Sequence, residues 1–264
     1  MQKRKHSFPY ILSVVVFSVI AFYCIFQIVN YFWQMQKAKR NAEQLQTVAV
    51  ITEENDSDNT FNDSEEQKDD SEKWEKAIPV AIDFSALQKI SMDATAWIYV
   101  PDTGINYVVA QGNDDSYYLD HMLNGEHSTS GTIFMDSHNA ADFTDWNTLI
   151  YGHHMKNGTM FAALENYKEQ EYYENHPVIY LYTPKYRYEM EVFAAALVEP
   201  ADTIYTISGS EEDKEKILRE LQEKSYIKTN VKMERNDKIV TLSTCAYDFG
   251  DARFVVVGRI REDV

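Results

Sequence analysis

The sequence predicts a mainly β fold with helical additions: an eight-stranded β-barrel preceded by one transmembrane helix. Three observations lead there. Eight β-rich runs separated by turn residues fill the C-terminal part of the chain, a single long apolar run lies near the N-terminus, and a polar, acidic stretch separates the two. At 264 residues the chain has room for one catalytic-sized domain and an anchor, not for two large domains.

Residues 1–9 form a short basic tail carrying Lys3, Arg4 and Lys5, expected on the cytoplasmic side. The apolar run from Tyr10 to Trp33 follows, long enough for a bilayer core that takes about 20 residues to cross. Tyr31, Phe32 and Trp33 supply interfacial aromatics at its far end. A cleaved signal peptide is the competing reading, but the run exceeds such a core and no small-x-small site follows it. An uncleaved signal anchor is therefore expected. Lys37, Lys39 and Arg40 nearly cancel the basic bias of the tail, so charge alone does not decide the orientation. A short tail inside and a large exported domain is the usual arrangement for a single N-terminal span.

Residues 34–77 read as an acidic linker. Between Glu43 and Glu75 carboxylates dominate and large apolar residues are few, so the stretch cannot bury enough surface to make a core and is expected to tether the domain. The helix of the span is expected to run on through Lys37 to Leu45.

The catalytic domain is expected over residues 78–264. Pro79, Ile82, Phe84, Leu87 and Ile90 are spaced for a short amphipathic helix at its start. Strands are predicted over Ala96 to Val100, Asn106 to Ala110, Gly131 to Met135, Thr148 to Tyr151, Val178 to Tyr182, Tyr186 to Val198, Ile239 to Thr244 and Phe254 to Ile260. Helices interrupt them at Thr159 to Tyr167, Glu169 to Asn175 and Glu211 to Lys224. The last has an Ile217, Leu218, Leu221 stripe and a Ser210, Asp213 pair resembling a capping box.

A formal charge of −17 with no Lys/Arg stripe after residue 40 argues against a nucleic-acid surface. There are two cysteines. Cys24 lies in the span, which leaves Cys245 alone in the exported part. A lone thiol outside the cell is exposed to oxidation, so it is either a buried bystander or a reactive group kept for its chemistry.

Cys245 ends the β-rich run from Lys238. A strand end suits a nucleophile, because the ladder fixes the backbone while the last side chain projects into a cleft. Period-two alternation puts Thr241, Ser243 and Cys245 on one face, and the backbone of Thr244 borders the same place. Ser243 and Thr244 are the expected substrate-binding residues.

Arg253 opens the next strand, so a hairpin returns it beside Cys245. A guanidinium there would favour the thiolate, bond a substrate carbonyl or stabilise an oxyanion. Without the neighbouring thiol it reads as a strand-end arginine reaching for solvent.

A cysteine nucleophile also needs a proton-transfer partner, and histidine suits that role near neutral pH. Of the seven histidines, His153 is the strongest candidate, where the run Asn147 to Tyr151 meets Gly152. His138 is the competitor. His153 and His154 are adjacent and point opposite ways, so they do not make a metal pair. No metal-binding spacing occurs elsewhere, and neither metal nor cofactor is expected.

Thr-Leu-Ser-Thr-Cys at 241–245, with Arg253 following in Arg-Phe-Val-Val-Val-Gly, resembles the T-L-x-T-C and arginine signature of sortases. Tyr-Gly-His-His-Met-Lys-Asn-Gly-Thr-Met-Phe at 151–161 is similar to the histidine segment of class B sortases in particular, and the resemblance extends over about residues 80 to 262. It implies the sortase-type β-barrel, with the N-terminal helix and Glu211 to Lys224 as the class B additions, and His153, Cys245 and Arg253 as catalytic residues. It further implies cleavage of a C-terminal sorting signal after Thr, a thioester on Cys245, and transfer to an amine of peptidoglycan or a pilin. The implied partners are surface proteins bearing sorting signals, the acceptor amine and the membrane, with the domain on the outer face. Two readings compete with it. One is a membrane-anchored cysteine peptidase that hydrolyses the thioester, and the other is a surface-binding module in which Cys245 is inert.

Overall fold

The computed structural model describes residues 8–51, 81–245 and 251–262. Helix α1, Phe8–Ala49, is a single rod of 42 residues. No glycine or proline interrupts it from Tyr10 onward, so nothing in the sequence breaks its hydrogen-bond ladder. Its first part, Leu12 to Trp33, is exposed on every side and is long and apolar enough to cross a membrane. Residues 34–49 continue the rod onto the barrel, where Leu45 and Ala49 are buried. The remainder of the stretch read as linker, residues 52–77, lies outside the described residues.

The short strands β1, Val50–Ile51, and β2, Ala81–Ile82, pair antiparallel. Helix α2, Phe84–Gln88, follows, capped where Ala86 N donates to Asp83 Oδ1 at 2.9 Å. The predicted amphipathic helix is thus shortened to this turn and a half, because Ala81 and Ile82 are taken by the strand.

The barrel strands are β3 (Ala94–Tyr99), β4 (Asn106–Ala110), β5 (Ile133–Met135), β6 (Asn147–Tyr151), β7 (Val178–Tyr182), β8 (Arg187–Val198), β9 (Lys238–Cys245) and β10 (Arg253–Glu262). They close in the order β10-β8-β7-β3-β4-β5-β6-β9. The pairs β4–β5 and β6–β9 are parallel and the other six antiparallel. All eight predicted runs are strands of this barrel, with ends shifted by a few residues. Between β6 and β7 the chain forms a 3-10 turn at Ala162–Lys168 and helix α3, Gln170–Asn175. The helix predicted from Thr159 starts later, since Thr159 to Phe161 are used to turn the chain back along His153 and His154.

Alternation along the strands sorts the core into an inside and two covered outer faces. Ile98, Val109, Ile150, Leu242 and Val256 point inward, each 0% exposed. On one outer face Trp97, Val108 and Phe134 pack under α1 and α2 with Leu45 and Leu87. On the other, Val255, Val257 and Phe193 are covered by helix α4, Glu211–Lys224, through Ile217 and Leu221. Ser210 caps α4 as expected, Asp213 N donating to its Oγ at 3.2 Å, but the return bond comes from the Ser210 hydroxyl to Asp213 Oδ2 at 2.6 Å in place of the backbone N–H of a full capping box.

Candidate active site

Strands β6, β9 and β10 are neighbours, and their ends meet at one edge of the barrel. The register pairs Arg253 of β10 with Cys245 of β9. On the other side of β9, β6 runs parallel with Tyr151 opposite Ser243, and Gly152 N continues the ladder by donating to Ser243 O at 3.1 Å. The ladder ends with that bond, and His153 follows Gly152 directly, where the chain leaves β6. Neighbouring strands lie about 4.8 Å apart, so the backbones of Arg253 and Cys245 stand side by side, with His153 just beyond the end of the strand on the other side of β9.

Gly152 is what lets the chain turn out of β6 there. A Cβ at this position would lie 2.4 Å from Ile133 Cδ1 and 2.7 Å from the Phe161 ring, both buried. The close approach requires glycine immediately before His153.

His153 is half-buried, and its Nε2 lies 2.7 Å from the carbonyl oxygen of Leu119. A carbonyl only accepts, so Nε2 carries a proton and, in the neutral ring, Nδ1 is the free base. The guanidinium of Arg253 bonds its own turn, Nη1 donating to Asp251 O at 3.0 Å and to Ala252 O at 3.2 Å. It makes no ion pair among the described residues.

A cleft of about 240 Å³ lies on the outer surface, lined by Phe134, Tyr151, Ser243 and Thr244 and bordered by His153 and Arg253. Leu119 and Asp115 supply its other rim. Ser243 Oγ lies 2.9 Å from Tyr205 OH, and Thr244 Oγ1 is buried with no hydrogen-bond partner among the described residues. Tyr151 and Tyr205 form an aromatic wall, their rings stacked at 6.4 Å and 26°. Tyr151 OH donates to Asp136 Oδ2 at 3.0 Å, and burial together with that carboxylate raises its pKa far above the usual phenol value.

The rival histidines lie elsewhere. His138 is on the loop after β5, exposed, with Nδ1 at 3.0 Å from Asp136 Oδ1. His154 turns away from the cleft toward Glu165, its Nε2 3.4 Å from Oε2. Asp115, Asp136 and His138 bring three donor atoms within 4.8 Å of one another, close enough to suggest a cation. Asp115 Oδ1 also accepts from Ser137 N, and Asp136 from His138 N and Tyr151 OH.

The sequence reading did not single out Asp115, Leu119, Phe134 and Tyr151 of the cleft, nor Tyr205 behind it. Tyr151 had a signal, being on the same face as Asn147 and Leu149 two positions before His153. Leu119 acts through its carbonyl, Tyr205 comes from the connection before α4, and Phe134 belongs to a strand remote in sequence, so none of these carried a local signal.

A sortase-domain family profile matches residues 98–261. Sortase B of Listeria monocytogenes is 36% identical over 179 residues, covering 66% of this chain and 72% of that one. Sortase B of Staphylococcus aureus is 38% identical over 180 residues, covering 67% and 74%. Among solved structures, a S. aureus sortase B-substrate complex superposes with a TM-score of 0.65 at 35% identity, over 69% of this chain and 85% of that one. Sortase B from B. anthracis gives 0.70 at 29% identity, over 88% and 100%. The motifs at 151–161 and 241–253, the closed barrel and these relatives agree that the chain belongs to the sortase family and, within it, to class B.

Proposed function

We propose that Cys245 is the nucleophile of this class B sortase, His153 its proton-transfer group and Arg253 its substrate-orienting cation. Class B sortases are cysteine transpeptidases, and the enzyme is one of them. The observation that carries the residue assignment is the alignment of three adjacent strand ends, with Arg253 and Cys245 in direct register and His153 two residues beyond the Tyr151–Ser243 pair.

His153 Nδ1 takes the thiol proton of Cys245, and the resulting thiolate attacks the carbonyl carbon of Thr in a C-terminal sorting signal. The oxyanion that forms is met by the Arg253 guanidinium and by backbone N–H groups near Cys245. Collapse breaks the C–N bond, His153 hands a proton to the leaving amine, and an acyl thioester remains on Cys245. An incoming amine of peptidoglycan or of a pilin attacks the thioester, His153 takes its proton, and the C–S bond breaks to restore the thiolate. Ser243 and Thr244 bind the peptide beside the nucleophile, in a cleft whose Tyr151 and Tyr205 wall suits an apolar side chain. Residues 10–33 anchor the enzyme in the cell membrane, with residues 78–264 as the catalytic domain on the outer face. Its length and uniformly exposed apolar surface support that reading of the helix.

The test is product mass. The detergent-solubilised chain, given a sorting-signal peptide and an amine acceptor, should release the C-terminal fragment and yield an amide adduct. Free acid as the sole product would turn the assignment to a hydrolase, and unchanged turnover in Cys245→Ala would end the nucleophile assignment.

A further inference from the structure

Helix α1 changes character where the span ends, without a break in the rod. Up to Trp33 every described side chain is exposed. From Gln34 one stripe is covered by the barrel: Met35, Ala38 and Ala42 are half-buried, Leu45 is 7% exposed and Ala49 0%. Steps of three and four keep these residues on one helix face. Polar contacts also clamp this part of the helix. Gln46 Nε2 donates to Asn106 O at 2.8 Å, Asp83 N to Ala49 O at 2.8 Å, and Lys37 Nζ pairs with Glu126 Oε2 at 2.8 Å.

The last contact fixes a height. Lys37 stands one turn beyond Trp33, about 6 Å along the axis, so Glu126 sits just above the level that the Tyr31, Phe32 and Trp33 belt sets for the bilayer interface. Glu126 belongs to a compact loop held by Met122 N→Glu126 O at 2.8 Å, Ser128 N→Asp120 O at 2.8 Å and Thr132 N→Tyr118 O at 2.9 Å. Its other end therefore moves with it, and that end carries the Leu119 carbonyl that receives His153. The loop exposes Tyr117 and Leu119, 41% and 43% accessible. Two of its carboxylates have cationic or potentially cationic partners: Glu126 has Lys37, and Asp120 lies 2.7 Å from His121 Nδ1 and 3.5 Å from His127 Nε2. An aromatic ring, an aliphatic side chain and paired charges suit the headgroup zone.

We infer that residues 34–49 are a rigid strut holding the barrel in one attitude to the membrane, with the loop Tyr117 to Ser128 resting in the headgroup layer of a phospholipid bilayer. The catalytic cleft then opens beside the lipid surface. The inference rests on the anchoring proposed above.

The test uses the full chain, with Cys24→Ser and Cys245→Ala, in vesicles of phosphatidylcholine and phosphatidylglycerol. A thiol-reactive fluorophore is placed at Asn124→Cys and, separately, at Thr129→Cys, and folding is verified by circular dichroism. Phosphatidylcholine with a nitroxide on its headgroup should quench both labels. A ten-residue Gly-Ser insertion between Trp33 and Gln34 should weaken the quenching at least threefold. Unquenched labels, or quenching indifferent to the insertion, on chains that float with the vesicles overturn the inference while leaving the anchor intact. A chain that does not float overturns the anchoring reading and the inference with it.

Discussion

At the scale of single residues, the site depends on where two neighbouring histidines point. His153 leaves β6 toward the cleft rim and His154 toward Glu165, so His153→Ala should remove turnover of a sorting-signal peptide, whereas His154→Ala and His138→Ala should keep most of it. Loss of activity in His138→Ala with a normal His153→Ala would reverse the assignment. Gly152 supports the same geometry from behind. Gly152→Ala forces a methyl against Ile133 and Phe161, at an expected cost of about 1–3 kcal/mol from overpacking. Because the strain falls on the residue before His153, kcat should drop as well, and a variant with unchanged urea midpoint and kcat would refute the close-packing account. The pairing of Arg253 with Cys245 was legible in the sequence, because two β-rich runs joined by a short turn are a local pattern. The Leu119 carbonyl was not, since a main-chain acceptor has no residue type to read.

At the scale of elements, β6 and β9 are joined by a buried side chain as well as by their ladder. Asn147, 0% exposed, donates from Nδ2 to Ile204 O at 2.6 Å and to Thr206 O at 3.2 Å, and its Oδ1 accepts from Thr241 Oγ1 at 2.9 Å. It fastens the connection carrying Tyr205 to the strand carrying Cys245. Asn147→Ala leaves buried groups unpaired at about 1–3 kcal/mol each, and should lower the urea midpoint and raise KM as the Tyr205 wall loosens. An unaltered KM would show that the connection is held by other means. Ser210→Ala offers the contrast: it removes the α4 cap, costs about 1 kcal/mol of stability, and should leave turnover unchanged, since α4 covers the outer face away from the cleft. The strands were predictable from alternation, and α4 from its stripe and cap. The pairing order was not, because the parallel neighbours β4–β5 and β6–β9 bring together runs whose partnership nothing in the local pattern encodes.

At the scale of the whole molecule, buried phenols set a limit at high pH. Tyr118, Tyr167 and Tyr182 are 2, 0 and 4% exposed. Burial raises the pKa of all three, reinforced at Tyr118 by its bond to Asp93. An unfolded tyrosine ionises near pH 10, whereas these stay neutral in the fold. The stability they contribute is therefore complete below about pH 10 and is lost as the pH climbs toward their folded values, at about 1.4 kcal/mol per pH unit for each. Urea midpoints should hold level from pH 7 to 9 and fall steeply above 10, and a level midpoint to pH 11.5 would contradict this. The little pair β1–β2 has a consequence for the acidic stretch that follows it. Val50 faces Ile82 and Ile51 faces Ala81, so the two ends that flank residues 52–80 are held side by side. A stretch whose two ends share one address adds no reach. With the stretch halved, the distance from lipid to barrel should be the same in the shortened enzyme as in the native one.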